Sequence, residues 1–208
     1  MTRNNAHSVA ALNAMQKITT LGISQAMQRR FGAFAVYWGL FESNLESLVW
    51  VLRKEKVKGV RPSTDGTPVS EWITALKAGS GELPSEANMI LSHAADAAEN
   101  LMSYRHSLFH GTLVAFPGAA SASFIRNPRW NGEVRKREVG DAHVDENLLD
   151  MAIEAAWILL RVALLAKKLP DDTGVTLRLK EMERDVGRAK SLAGELRNLT
   201  ALMNHEKY

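Results

Sequence analysis

Residues 103–113 read Ser-Tyr-Arg-His-Ser-Leu-Phe-His-Gly-Thr-Leu, placing Arg105, His106 and His110 in one short stretch of a chain that has six histidines. These residue types suit phosphoryl chemistry. Histidine titrates near neutrality and can take or give a proton, and a guanidinium can hold two phosphoryl oxygens at once. Breaking a phosphodiester without a metal needs a base for the attacking hydroxyl, an acid for the leaving oxygen, and a cation for the crowded phosphoryl oxygens. Arg105 and His110 supply that minimum. His106 would orient the phosphate or the neighbouring histidine, with Tyr104 and Ser107 in support.

Two blander readings stay open. Histidines four apart share a helix face and could hold a metal, but the glutamate of H-E-x-x-H is missing and a third ligand would have to come from His93, Asp96 or His143. Near a helix C-terminus they could also be plain surface or capping residues, where a positive charge is favoured.

The elements that position this stretch are helical. Apolar residues at Phe31, Phe34, Trp38, Phe41, Leu45, Val49 and Leu52 keep three- and four-residue steps, which predicts a long helix from about 24 to 56. A shorter alanine-rich helix, about 8 to 20, precedes it. Ser70 can cap a short helix to about 78, after the loop GVRPSTDGTPV. Pro84 and Ser85 open the motif helix, and Gly111 stops it. From 112 to 143, β-branched and aromatic residues between turn signals predict a small antiparallel ribbon or an ordered excursion. An almost wholly apolar helix follows from Val144 to Leu169 and ends at Pro170, and a charged amphipathic segment runs from about 176 to 203.

Helical projection at about 100° per residue places Arg105 in the apolar stripe of its helix and Glu42 in that of the 24–56 helix. A buried guanidinium and a buried carboxylate are each costly alone, so the two are expected to pair. Five residues along a helix leave Arg105 and His110 some 140° apart. Either the helix loosens before Gly111, or two chains combine their motifs around a shared cleft.

With 208 residues, the chain has the length of one domain, 1–208. Cysteine is absent, which excludes disulfides, thiolate metal sites and a cysteine nucleophile and points to a reducing, cytoplasmic setting. The start of the chain lacks the order of a signal peptide. The most apolar run, AAWILLRVALLA, is far short of the roughly 20 residues needed to cross a bilayer. A net charge of +3 does not by itself demand a polyanion. The basic residues cluster, however: Arg53, Lys54, Lys56, Lys58 and Arg61 read as solvated surface, whereas Arg126, Arg129, Arg135, Lys136 and Arg137 follow the motif and could form a backbone-binding wall. Trp130, between them, could stack on a base, although a tryptophan of this kind is more often packed. No phosphate-binding glycine loop is present, which removes nucleotide hydrolysis of the P-loop type.

Arg105-His106-Ser107-Leu108-Phe109-His110 fits the R-(N/H/D)-x-x-x-H signature, and with Gly111 the chain resembles HEPN domains, helical nucleotide-binding and ribonuclease domains of prokaryotic toxin and defence systems. The resemblance covers the core, about 24–168, and leaves the 112–143 insertion and the C-terminal helix as additions. It implies an all-α helical bundle, here of about five to six helices with a small β-ribbon or irregular insertion after the motif helix. It also implies a homodimer with the two motifs facing each other, and metal-independent RNA cleavage with no cofactor. Other members are non-catalytic binding or regulatory modules, and toxin-type members answer to an antitoxin or regulatory protein.

Overall fold

A computed structural model describes residues 3–116, 118–137, 139–169 and 174–205. The described residues form seven helices and one small sheet: α1 (Arg3–Thr20), α2 (Gln25–Leu52), α3 (Val69–Ala78), α4 (Ser85–His110), β1 (Thr112–Ala115), β2 (Ala122–Arg126), β3 (Gly140–Val144), α5 (Glu146–Ala166), α6 (Val175–Glu181) and α7 (Glu183–His205). The chain is therefore mainly α-helical, as its periodicity predicts.

Helix α2 starts where Ser24 accepts a hydrogen bond from Met27 N at 3.1 Å, the usual service of a serine to orphan amides at a helix start. Its buried residues, Phe34, Trp38, Phe41, Leu45, Leu48 and Val49, form one stripe that packs mainly on α5. Asp145 caps α5 in the same way, accepting from Leu148 N at 2.8 Å. Arg30 ties the starts of these two helices together through Asp150 and Glu146.

Alanine explains how α4, α5 and α7 lie side by side. Ala94, Ala95, Ala97 and Ala98 of α4, Ala152, Ala155, Ala156 and Ala163 of α5, and Ala189 and Ala193 of α7 are all buried, so backbones approach closely. Leu91, Leu101, Leu149, Leu159, Val186 and Leu196 fill what remains. Burying each such side chain is worth about 1.5–3 kcal/mol.

The sheet order is β1-β2-β3, antiparallel throughout, with Thr112 opposite Ile125 and Arg126 opposite Gly140. β3 packs on α4, α5 and α7, so the ribbon lies against the end of the motif helix.

Several boundaries differ from expectation: α1 begins at Arg3, ahead of residue 8, and α2 ends at Leu52, ahead of residue 56. The C-terminal segment is two helices, because the chain turns at Met182, whose amide bonds back to Leu179 O at 3.0 Å. α7 packs into the core, with Val186, Ala189, Ala193 and Leu196 buried beside α4 and α5. α3 begins at Val69 after Pro68, with no side-chain cap from Ser70. The expected helix stop at Pro170 lies outside the described residues, and α5 ends at Ala166.

Candidate functional site

The last two turns of α4 divide by face. Tyr104, Ser107 and Leu108 point inward, Arg105 and His106 are half-buried, and Phe109 and His110 are exposed. Gly111 then leaves the helix with an extended backbone, φ −86° and ψ 157°, and delivers the chain into β1. Glycine is needed there for room. A Cβ at position 111 would lie 2.3 Å from Ser107 O and 3.0 Å from the carbonyl carbon of Phe124 on β2. Gly111→Ala is therefore expected to cost about 1–3 kcal/mol by overpacking, read as a lower denaturant midpoint, and to displace His110.

Arg105 and His110 meet within one chain. Arg105 Nη1 lies 3.4 Å from His110 Nε2, although α4 stays helical through His110. The long arginine stem closes the gap, so neither a loosened helix nor a second chain is needed to join them. The guanidinium can donate only to a ring nitrogen that carries a lone pair, so the contact is a hydrogen bond in the tautomer whose proton sits on Nδ1.

The guanidinium has a floor. Its Cζ sits 5.4 Å from the centroid of Phe109, and Phe109 stacks on Phe34 of α2 at 6.3 Å with 18° between the rings. Phe34 also meets Tyr104 edge-on at 6.4 Å. A cation over an aromatic face gains about 0.5–2 kcal/mol. Arg105 Nε is enclosed without a hydrogen-bond partner, and among the described residues this arginine is held by stacking and by no carboxylate.

Glu42 does not pair with Arg105. Its Oε1 accepts from Trp38 Nε1 at 2.5 Å, one turn away on α2. The projected stripe of α4 was centred one residue row too far round: the core takes Leu101, Tyr104 and Leu108, while Met102 is half-buried and Phe109 is 42% exposed. Arg105 consequently sits at the edge of the stripe. Glu42→Gln keeps an acceptor for Trp38 and is expected to change stability by less than about 1 kcal/mol, measured by thermal unfolding.

His106 lies next to His110, ring centroids 6.0 Å apart. Burial, then the charges of Arg105 and Arg126 and the His110 ring, push its pKa below the ordinary histidine value. Tyr104 and Ser107 belong to the packing. Tyr104 donates from its hydroxyl to His143 O at 3.0 Å, and burial raises its pKa, which removes it from proton transfer near neutrality. Ser107 is 1% exposed and faces Gly140.

The basic residues after the motif scatter. Arg126 turns toward His106, whereas Arg129, Lys136 and Arg137 are exposed on the segment between β2 and β3, and Arg135 pairs with Glu133 at 3.2 Å. Trp130 is 61% exposed, against the expectation that it packs. In the earlier cluster, Arg53 donates to Ser63, Lys54 pairs with Glu82 and Arg61 with Asp65.

The third ligand that a metal pair would need is not supplied by the sequence candidates. Asp96 is held between Lys77 at 2.7 Å and Lys190 at 2.8 Å; burial opposes the shift, but these hydrogen bonds keep its carboxyl below the usual range. His143 Nδ1 lies 3.2 Å from Ser123 Oγ. Among the described residues, no group of three His, Asp or Glu side chains could hold a metal ion. No helix among them is long and apolar enough to cross a membrane.

Phe34 and Phe109 are the site residues that the chemistry of the motif did not single out. Their signal was the apolar stripe itself, since both lie on stripes that converge at the end of α4. No family model matches the chain, and no curated protein or solved structure matches it.

Proposed function

We propose that the chain is a metal-independent endoribonuclease of the HEPN type, with Arg105 and His110 as its catalytic pair. The observation that carries this reading is the contact of Arg105 Nη1 with the exposed His110 Nε2 at 3.4 Å above the Phe109–Phe34 stack. The imidazole of His110 lies at the surface and can accept a proton once the guanidinium turns from its Nε2 to receive a phosphoryl group, and among the described residues no carboxylate pairs with that arginine.

In the reaction His110 takes the proton of the 2′-hydroxyl, and the 2′-oxygen attacks phosphorus. Arg105 holds the phosphoryl oxygens as their charge grows. The bond from phosphorus to the 5′-oxygen breaks, the 5′-oxygen is protonated, and a 2′,3′-cyclic phosphate and a 5′-hydroxyl result. We assign the second proton transfer to His110 of a second copy of the chain, with the two motifs facing each other. The exposed apolar side chains Leu12, Met15 and Ile18 on α1 and Phe109 beside the site offer surface for such a dimer to cover.

Mixing Arg105→Ala with His110→Ala protein tests the pairing. Because both groups of one pair belong to one chain, the mixture is expected to stay inactive in excess EDTA, where the unmodified protein cuts RNA. Restored cleavage would mean that Arg105 of one copy works with His110 of the other. A monomer in light scattering that still cuts RNA would remove the second copy from the mechanism.

A second reading is a non-catalytic binding module in which Arg105 serves as structure. It is favoured by the packing of Arg105 on Phe109 and the enclosure of its Nε. Failure of the pure protein to cleave any RNA would select it.

A further inference from the structure

One turn back from His110, α4 carries a second polar surface. Glu99, Met102, Ser103 and His106 follow one another along one face and, with Arg126 of β2 and Arg197 of α7, line an open cleft of about 240 Å³. Three elements thus bring two guanidinium groups, a hydroxyl and an imidazole to one place.

The sequence has a device for aiming Arg126. It faces Gly140 across the β2–β3 ladder, and a Cβ at position 140 would lie 2.8 Å from Arg126 Nη2 and 3.2 Å from both its Nε and Ser107 Oγ. The missing side chain lets the guanidinium fold over β3 toward α4. Arg126 Nε is enclosed there without a hydrogen-bond partner, and the ion pairs of the described residues leave this arginine out. Arg197 donates to the neutral Asn100 Oδ1 at 2.7 Å, and the ion pairs of the described residues leave it out as well. Glu99 is the acidic residue of the lining, a single exposed carboxylate against two guanidinium groups, and it also acts weakly on Lys77. Like charges gathered in a partly enclosed cleft repel one another until an anion enters. Two forked donors beside a hydroxyl match the several oxygens of a phosphate.

The cleft and the catalytic pair share His106, whose ring centre is 6.0 Å from that of His110. Four residues of helix are about 6 Å of rise, close to one nucleotide step of an extended strand. We infer that Arg126, Arg197, His106 and Ser103 bind the phosphate adjacent to the one held by Arg105 and His110, on the same strand. This rests on the ribonuclease reading and makes His106 a positioning residue of that reaction. The strand therefore runs back along α4 toward α7, and not out over the exposed segment that carries Arg129, Lys136 and Arg137.

A single-stranded oligodeoxynucleotide tests this apart from catalysis, because without a 2′-hydroxyl it can be bound but not cut by this chemistry. Its affinity is measured by anisotropy over a series of salt concentrations. Arg126→Ala and Arg197→Ala are each expected to weaken binding and to lower the slope of log affinity against log salt by about 0.7, the value for one phosphate contact on a single strand. Arg197 is exposed, so its substitution keeps the fold even where Arg126→Ala loosens β2. Lys56→Ala, beyond the far end of α2 from Phe34, is expected to leave the slope unchanged. An unchanged slope in both arginine variants overturns the inference, even when the unmodified protein cuts RNA. An equal loss in the Lys56 variant overturns it too, since binding would then be spread over the basic surface. Slopes lowered in both arginine variants, with no RNA cleavage by the unmodified protein, keep the cleft as a phosphate site and overturn the ribonuclease reading instead.

Discussion

Replacing His110 by alanine is expected to slow RNA cleavage by about 10²- to 10⁴-fold, the usual contribution of a positioned acid or base. The fold should not notice. His110 is exposed at the last position of α4, where it meets Arg105 at 3.4 Å and the ring of His106. Substitutions at such surface positions change stability by about 0.5 kcal/mol or less. The comparison is therefore clean: kcat/KM on a defined RNA beside a thermal unfolding curve, with a large fall in the first and almost none in the second. Cleavage that survives the substitution would make His110 a bystander and return the stretch 103–113 to the capping reading.

Phe34→Ala should produce the largest loss of stability at the site, about 3–5 kcal/mol. Phe34 is 0% exposed and touches Trp38, Tyr104 and Phe109, so truncation opens a cavity between α2 and α4 where those helices meet through aromatic rings. For a chain of this length, each kcal/mol lowers Tm by about 2–4 °C, which puts the expected drop at about 10 °C. Activity should fall as well, even well below the melting temperature, because Phe109 loses the ring it stacks on and Arg105 loses its floor. Phe34→Leu fills most of the volume without the flat face; it should recover much of the stability and less of the activity. A destabilisation under about 1 kcal/mol for Phe34→Ala would contradict the packing described here.

Long helices were legible because their apolar periodicity is set by the core they face. The stripes of α2, α4 and α5 and the stop at Gly111 all follow from residue spacing. What spacing could not give was how wide a stripe each neighbour covers. α4 is packed by α3, α5 and α7, so its buried face extends to Tyr104 and Leu108, and an arginine projected into the core ends at its margin. That same shift undid the pairing with Glu42, whose nearest donor, Trp38, lies one turn away on its own helix and was available to sequence reasoning at spacing four. Helix geometry sets Arg105 and His110 about 140° apart, and the length of the arginine side chain, which spacing does not count, brings Nη1 to 3.4 Å from His110 Nε2 within one chain. The break at Met182 has no glycine or proline to announce it. Gly140 was silent for another reason: its role depends on which residue β2 places opposite it, and register across the 127–139 segment is a tertiary outcome.

The most direct measurement is the chemistry of the cut ends. A defined single-stranded RNA is incubated with the purified protein in excess EDTA, and the products are read by mass spectrometry. Attack by the 2′-oxygen, with Arg105 and His110 as the working pair, predicts fragments that carry 2′,3′-cyclic phosphate and 5′-hydroxyl ends, absent when His110 is alanine. Ends carrying 3′-hydroxyl and 5′-phosphate, formed only after a divalent metal is restored, would contradict it.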